Sequence, residues 1–380
     1  MQDARDWVEY CNGNTSTIWG ALRAARGHPE PYNVKIWYLG NEIGWHVPFA
    51  SVPQRCGFER HTLSSACNIC RQARFPNYPN STASTGAASG AEYAKILEAL
   101  IPPLLAVDPS LTLIAVEVDP DWNAAWINST VVKSISAVSA HIGYANSDAG
   151  GSPASVVSAT AQAKLAQTAV LSALAAVRQD LDAMGSAAHV RISIDEWGLG
   201  APWVVENFNT AHAIYGASFL TMLLNNALQY GVSFSNYFEP INEGAVQVRQ
   251  FTSVATPLGV VLPLFGALAG SARLVVTQAS VGIDDDVIGV AALASSGGRK
   301  TITLVLTNLN AGCDWTQRVQ FAGAQVSSSA VVRLLTADGY TTNSTFALSS
   351  FTVTVSEGGW ADVPLPRFSV ASVAVSCISC

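Results

Sequence analysis

Val34–Trp45, read VKIWYLGNEIGW, is an apolar, strand-like run that stops at Gly40 and then presents Asn41 and Glu42. In parallel α/β barrels the chemistry sits at the C-terminal tips of the strands, so a strand that ends by delivering a carboxylate predicts such a fold. Val190–Gly198, VRISIDEWG, repeats the device: alternating β-branched residues run straight into Asp195, Glu196 and Trp197.

Outward from these two strands the chain alternates helix and strand. Gln2–Cys11 has a helical pattern with Trp7, Val8 and Tyr10 on one side, closed by the turn-forming cluster Asn12–Thr17, and Ile18–Arg26 is a second short helix. Gly27-His28-Pro29-Glu30-Pro31 cannot be helical and leads into the Glu42 strand. From Ile43 to Gly90 periodicity is lost among Pro, Ser and Gly; the spacing predicts a long functional loop that walls one side of a cleft. Next come a helix over Ala91–Val107, interrupted at Pro102-Pro103, and a strand over Leu111–Val118 that ends at Glu117 and Asp119. Ile135–Tyr144 reads as one strand with His141 and Tyr144 near its end, and Ala154–Met184 as a long helix stopped by Gly185. Thr210–Tyr230 is helical, Val232–Phe238 is a strand followed by Glu239, Asn242 and Glu243, and a helix-like run occupies Pro257–Ala269.

This order predicts a parallel sheet, but the α/β part supplies about five strands where a closed (β/α)8 TIM barrel needs eight. The expectation is a barrel lacking about its first three strands, as in the C-terminal portion of a larger enzyme. From Arg273 onward short Val/Thr/Leu/Ile runs alternate with turns, which predicts an antiparallel β-sandwich; the domains expected are 1–270 and 271–380.

Composition narrows the partners. With 49% hydrophobic and 12% charged residues the chain has material for a large core and is not a disordered sequence. A net charge of -7 argues against nucleic acid and against anionic membrane surfaces, both of which attract basic patches. No apolar run approaches the ~18 residues of a membrane span, and MQDARDWVEY has neither the basic nor the apolar region of an export signal. Yet Asn14, Asn80, Asn128 and Asn343 all head glycosylation sequons, and an odd total of 7 cysteines leaves one without an internal partner. Together these predict a secreted protein whose export signal lies on a missing front part. Cys56, Cys67 and Cys70 suit a disulfide-stapled loop better than zinc, for which only His46 or His61 is close in sequence. Cys377 and Cys380 likewise read as disulfide partners, and Asp284-Asp285-Asp286 as a solvated turn, with calcium the minor alternative.

The chemistry follows from the two glutamates. Retaining hydrolysis of a glycosidic bond needs one carboxyl to protonate the leaving oxygen and another, about 5 Å away, to attack the anomeric carbon. Glu42 and Glu196, at strand tips on one barrel face, have the placement for those roles. Trp37, Trp45 and Trp197 flank them and offer either apolar walls for a sugar or ordinary core packing. His141 and Tyr144 are placed to orient Glu196, and Glu239 and Asn242 are weaker candidates for substrate contact. No metal and no cofactor is required.

The stretches Trp7–Asn12 (WVEYCN), Arg23–Tyr32 (RAARGHPEPY), Trp37–Glu42 (WYLGNE), Ser139–Tyr144 (SAHIGY) and Ile194–Trp197 (IDEW) resemble glycoside hydrolase family 51, the α-L-arabinofuranosidases. The resemblance covers nearly the whole chain apart from Ile43–Ser89. It implies that Glu42 is the general acid/base, that Glu196 is the nucleophile, and that Asn41 hydrogen-bonds the sugar 2-hydroxyl. The implied partner is an arabinose-containing polysaccharide or oligosaccharide. Related barrel glycosidases acting on xylosides or glucans, and a non-catalytic carbohydrate-binding remnant, are the alternatives. The chain departs from the family pattern in its His141-Ile142-Gly143-Tyr144 spacing, in Gly198 after the DEW motif, and in the long cysteine-bearing loop.

Overall fold

The computed structural model describes residues 2–41, 89–116, 120–145, 156–185, 187–199, 209–242, 244–276, 286–339 and 345–380. These group into two compact units, the first formed by Met1–His141, Ala173–Asp195 and Gln229–Ser235, the second by Ile142–Ser172, Glu196–Leu228 and Asn236–Cys380.

In the first unit, helix α1 (Gln2–Asn12) and helix α2 (Ile18–Ala25) meet at a turn in which Thr17 caps α2 by accepting the Gly20 N–H at 3.1 Å. The fully buried Arg23 of α2 explains the sequence that follows: Nε donates to His28 O at 3.0 Å, one terminal nitrogen to Tyr10 O at 2.7 Å and the other to Pro29 O at 3.0 Å. A guanidinium thus holds the GHPEP turn to α1, satisfying carbonyls that the prolines leave without helical partners. The chain then enters β1 (Ile36–Tyr38), which pairs in parallel with β2 (Thr112–Val116). Between them, α3 (Gly90–Val107) begins with a capping box in which Ser89 and Glu92 satisfy each other's backbone N–H. Pro102 and Pro103 were expected to interrupt this helix; it continues through them. Leu97, Ile101 and Leu104 on its inner face are all at most 2% exposed, and that burial outweighs the lost backbone donors.

Helix α4 (Pro120–Ile127) and a 3₁₀ turn (Thr130–Ser134) lead to β3 (Ile135–Ser139), which pairs in parallel with β2 and with β5 (Arg191–Leu199). Leu113, Ile114, Ala115, Ala137 and Val138 are fully buried, as expected of a parallel sheet covered on both faces. The expected strand Ile135–Tyr144 is instead broken after Ser139, and a two-residue β4 (Tyr144–Ala145) resumes alongside Gly198 and Leu199 of β5. Gly143 in the gap has φ +100°, and a Cβ there would meet the Phe219 ring at 2.4 Å, so only glycine allows this detour. Helix α5 (Val156–Ala183) buries Ala163, Ala166, Val170, Leu174, Val177 and Leu181, a stripe at three- and four-residue spacing. Helix α6 (Thr210–Tyr230) and strand β6 (Val232–Tyr237) follow, β6 pairing with β5. The parallel sheet therefore has the order β1-β2-β3-β5-β4 with β6 against β5. Among the described residues nothing pairs with the free edge of β1, and Tyr32, Val34, Ile36 and Tyr38 are exposed along it.

The second unit carries the antiparallel half. A hairpin of β7 (Val246–Arg249) and β8 (Thr252–Ala255), unforeseen in the sequence, precedes α7 (Pro257–Gly266), which Thr256 caps. One sheet then runs Phe346–Thr354 (β14), Gln325–Ala337 (β13), Val370–Ser379 (β16), Arg299–Asn308 (β11), Val287–Ser296 (β10) and Ala272–Leu274 (β9); Trp315–Gln320 (β12) and Trp360–Leu365 (β15) form a second. Val332, Val363, Leu365, Ala371 and Val373, drawn from both, are fully buried in one core. Of the expected solvated turn, Asp284 and Asp285 lie outside the described residues, while Asp286 is not solvated: it is 5% exposed, accepting Lys164 Nζ at 2.7 Å and Asn310 Nδ2 at 2.6 Å. Burial opposes its ionisation, but these two donors outweigh burial and hold its carboxyl below the usual range. Cys377 and Cys380 form a disulfide; Cys56, Cys67 and Cys70 lie outside the described residues. Among those residues no helix is long and apolar enough to cross a membrane.

Candidate active site

Strand β5 carries the IDEW motif. Its register against β3 places Ser139 beside Ser193, and Ala140 N–H donates to Ser193 O at 2.8 Å, so the two strands stay paired up to the motif. Ser193 Oγ also shares a hydrogen bond of 2.9 Å with the Tyr38 hydroxyl of β1. Asp195 is next: Ser139 Oγ donates to its two oxygens at 2.9 and 2.7 Å, and His141 Nε2 stands 3.9 Å away. Burial raises the Asp195 carboxyl above the ordinary range, with the Ser139 hydrogen bond and the His141 charge acting in the opposite direction. Of the residues expected at the site, the first unit thus brings His141 against Asp195.

Asn41, also of the first unit, is exposed just beyond β1. Its approach is fixed at Leu39, whose N–H donates to Ile114 O at 2.9 Å and whose carbonyl accepts the Tyr93 hydroxyl at 3.2 Å; Gly40 then turns with φ +137°. Glu42 and Trp45 lie outside the described residues, so the spacing of the two glutamates stays an expectation.

In the second unit, Glu196 is half-buried and Trp197 is 2% exposed. The indole of Trp197 stacks on Phe219 of α6 with centroids 4.0 Å apart and meets Tyr237 of β6 edge-on at 5.0 Å. Tyr237 in turn shares a hydrogen bond of 3.1 Å with His212 Nδ1, and the Tyr215 hydroxyl donates to Gly143 O. Burial drives the Tyr215 phenol well above its usual range, so it stays a neutral donor. These rings form a rigid apolar floor under the end of β5. Trp197 contributes to that floor, Tyr144 pairs with Gly198 through its backbone, and Glu239 is exposed after β6. Reading the sequence missed Ser139, Tyr215, His212 and Tyr237, whose partners lie far off in the chain; the SAHIGY stretch was the one local signal.

Residues 1–52 match the family model described as the alpha-L-arabinofuranosidase 1 domain. A probable alpha-L-arabinofuranosidase C of Aspergillus clavatus is 49% identical over 49 residues, which is 12% of this chain and 10% of that protein. Among solved structures, an alpha-L-arabinofuranosidase from Thermotoga maritima in an arabinose complex superposes with a TM-score of 0.70 at 20% identity, covering 99% of this chain and 73% of that one. The GH51 alpha-L-arabinofuranosidase from Thermotoga petrophila gives a TM-score of 0.71 at 20% identity, with 98% and 73% coverage. At such identity the likeness to solved structures is one of fold: a TIM barrel, here partial, followed by a β-sandwich. Over its first 52 residues the chain is thus similar to the alpha-L-arabinofuranosidases, and over its length it shares the fold of solved alpha-L-arabinofuranosidases.

Proposed function

We propose that the protein is a retaining glycosidase that releases α-L-arabinofuranosyl residues from arabinose-containing polysaccharides or oligosaccharides. The observation that carries this reading is the WYLGNE stretch, inside the segment that matches the arabinofuranosidase domain, together with a second strand that delivers Glu196. In the first step a Glu196 oxygen bonds to the anomeric carbon while the bond to the leaving oxygen breaks, and Glu42 gives that oxygen its proton. In the second, Glu42 takes a proton from water, the water oxygen attacks the same carbon, and Glu196 leaves as carboxylate. Asn41 is assigned to the 2-hydroxyl of the sugar, and His141, Tyr144, Trp45, Trp197 and Glu239 are proposed as further substrate-binding residues. Arabinose released from a panel of aryl glycosides tests the proposal; cleavage of xylosides or glucosides with arabinosides untouched would refute it.

That one edge of β1 has no partner among the described residues favours a second reading, a carbohydrate-binding remnant without catalysis. Saturable binding of arabino-oligosaccharide with no turnover on any glycoside would select it. We further propose secretion, on the sequons; Asn14 and Asn128 are both exposed. A mobility shift of the natively produced protein on endoglycosidase treatment is the expected result, and an unmodified intracellular protein would refute it.

A further inference from the structure

Ser139, His141 and Asp195 form a polar cluster to which the two-glutamate mechanism gives Asp195 no task. All three belong to the first unit. The Asp195 side chain is 11% exposed and that of His141 6%. A carboxylate placed so deep is costly unless its oxygens find donors, and here the single Ser139 hydroxyl hydrogen is shared between them, with the Ala140 backbone N–H adding to it. Two residues earlier, Ser193 is held from β1 by Tyr38 and from the β3 side by Ala140. Strand β5 is therefore fastened on both sides of Ile194, immediately before Glu196.

We infer that Asp195 is a positioning residue for Glu196: clamped by Ser139 and paired with His141, it fixes the end of β5 so that the residue after it is offered in one orientation. The inference rests on the reading of Glu196 as nucleophile. An attacking carboxylate must be held in line with the anomeric carbon, and a displacement of about 1 Å costs on the order of a hundredfold in rate. Among the described residues Ser139 of β3, the Ala140 backbone N–H and His141 face Asp195, while Tyr38 of β1 acts through Ser193. Protonating Asp195 at acid pH removes one of its two acceptor oxygens and its attraction for a protonated His141, so Asp195 contributes to the acid limb of activity.

The 380-residue chain and its Ser139→Ala, Ser139→Thr, Asp195→Asn and Glu196→Ala variants are to be compared on para-nitrophenyl α-L-arabinofuranoside from acid to neutral pH, with folding checked by circular dichroism. Ser139→Ala is expected to lower kcat about ten- to a hundredfold with KM changed less than about threefold, while Ser139→Thr keeps the hydroxyl and the rate. Asp195→Asn should lose kcat similarly and show a shallower acid limb, one titrating carboxyl having been removed. Folded Ser139→Ala and Asp195→Asn proteins with wild-type kcat and acid limb, beside an inactive Glu196→Ala, would overturn the inference alone. Turnover by Glu196→Ala, or none by the wild type, would instead refute the nucleophile reading, and the inference with it.

Discussion

Replacing Asp108 by asparagine removes one charge from a knot that fastens α1, β1 and the end of α3 in the first unit. Asp108 accepts Lys35 Nζ at 2.7 Å, Asn12 Nδ2 at 2.8 Å, Ser110 N at 2.9 Å and Ser110 Oγ at 2.6 Å. Asn12 also bonds both backbone groups of Val34, at 2.7 and 2.8 Å, so the knot reaches directly into the run that ends at Asn41. Burial of Asp108 works against its ionisation, yet the donors prevail and its carboxyl falls from 3.8 to about 2. At about 1.36 kcal/mol for each tenfold change in proton affinity, that is at most about 2.4 kcal/mol of stability. The Lys35 side chain is 42% exposed, so solvent screening lowers the expected value to about 1–2 kcal/mol. Because the folded pKa is depressed, this contribution is complete above 3.8 and disappears as pH falls through about 2. Urea unfolding of the wild type and Asp108→Asn should therefore show a gap of about 1–2 kcal/mol at neutral pH that closes through that acid window. A gap that is absent at neutral pH, or that stays constant into acid, would refute the reasoning.

Arg23→Met should cost about 1.5–3 kcal/mol in chemical denaturation, since the carbonyls of Tyr10, His28 and Pro29 lose the guanidinium that donates to them; Arg23→Lys should recover little, an ammonium lacking the fork that reaches all three. Tyr93→Phe should cost about 1–3 kcal/mol, because the fully buried hydroxyl both accepts Val116 N–H and donates to Leu39 O, and a melting temperature equal to wild type would contradict this. Among the described residues one edge of β1 is unpaired and Trp7, Tyr32, Val34, Ile36 and Tyr38 are exposed, so the 380-residue chain should associate in solution through them. Sedimentation as a monodisperse, cooperatively melting monomer would count against that expectation.

How much of this was legible in the sequence depended on whether the deciding interaction was local. Helix α6 was read at Thr210–Tyr230, its observed limits, and the IDEW strand was plain, because period and turn residues are properties of a short window. The break between Ser139 and Tyr144 was not, since it depends on Gly143 meeting Phe219, a residue of another helix. Pro102-Pro103 misled for the converse reason: tertiary burial of Leu97, Ile101 and Leu104 overrode a local rule. In β12, WTQRVQ only half-buries alternate residues, and in β15, WADVPL buries Ala361, Val363 and Leu365, so polar partners masked the strands. At the candidate site the acidic tips of the strands were legible as motifs, whereas the bond from Ser139 to Asp195 joins residues 56 apart and left no trace in either neighbourhood.

The roles assigned to Glu42 and Glu196 are tested most directly by azide rescue of their alanine variants on a dinitrophenyl α-L-arabinofuranoside. That leaving group needs little protonation, so Glu42→Ala should complete the first step and stall at the second. Azide, which attacks without base help, should restore its turnover and give a glycosyl azide of retained configuration. Glu196→Ala should form no glycosyl-enzyme on any substrate. A glycosyl azide of retained configuration from Glu42→Ala is the predicted result; an azide of retained configuration from Glu196→Ala, with an inverted one from Glu42→Ala, would show the two roles exchanged and contradict the assignment.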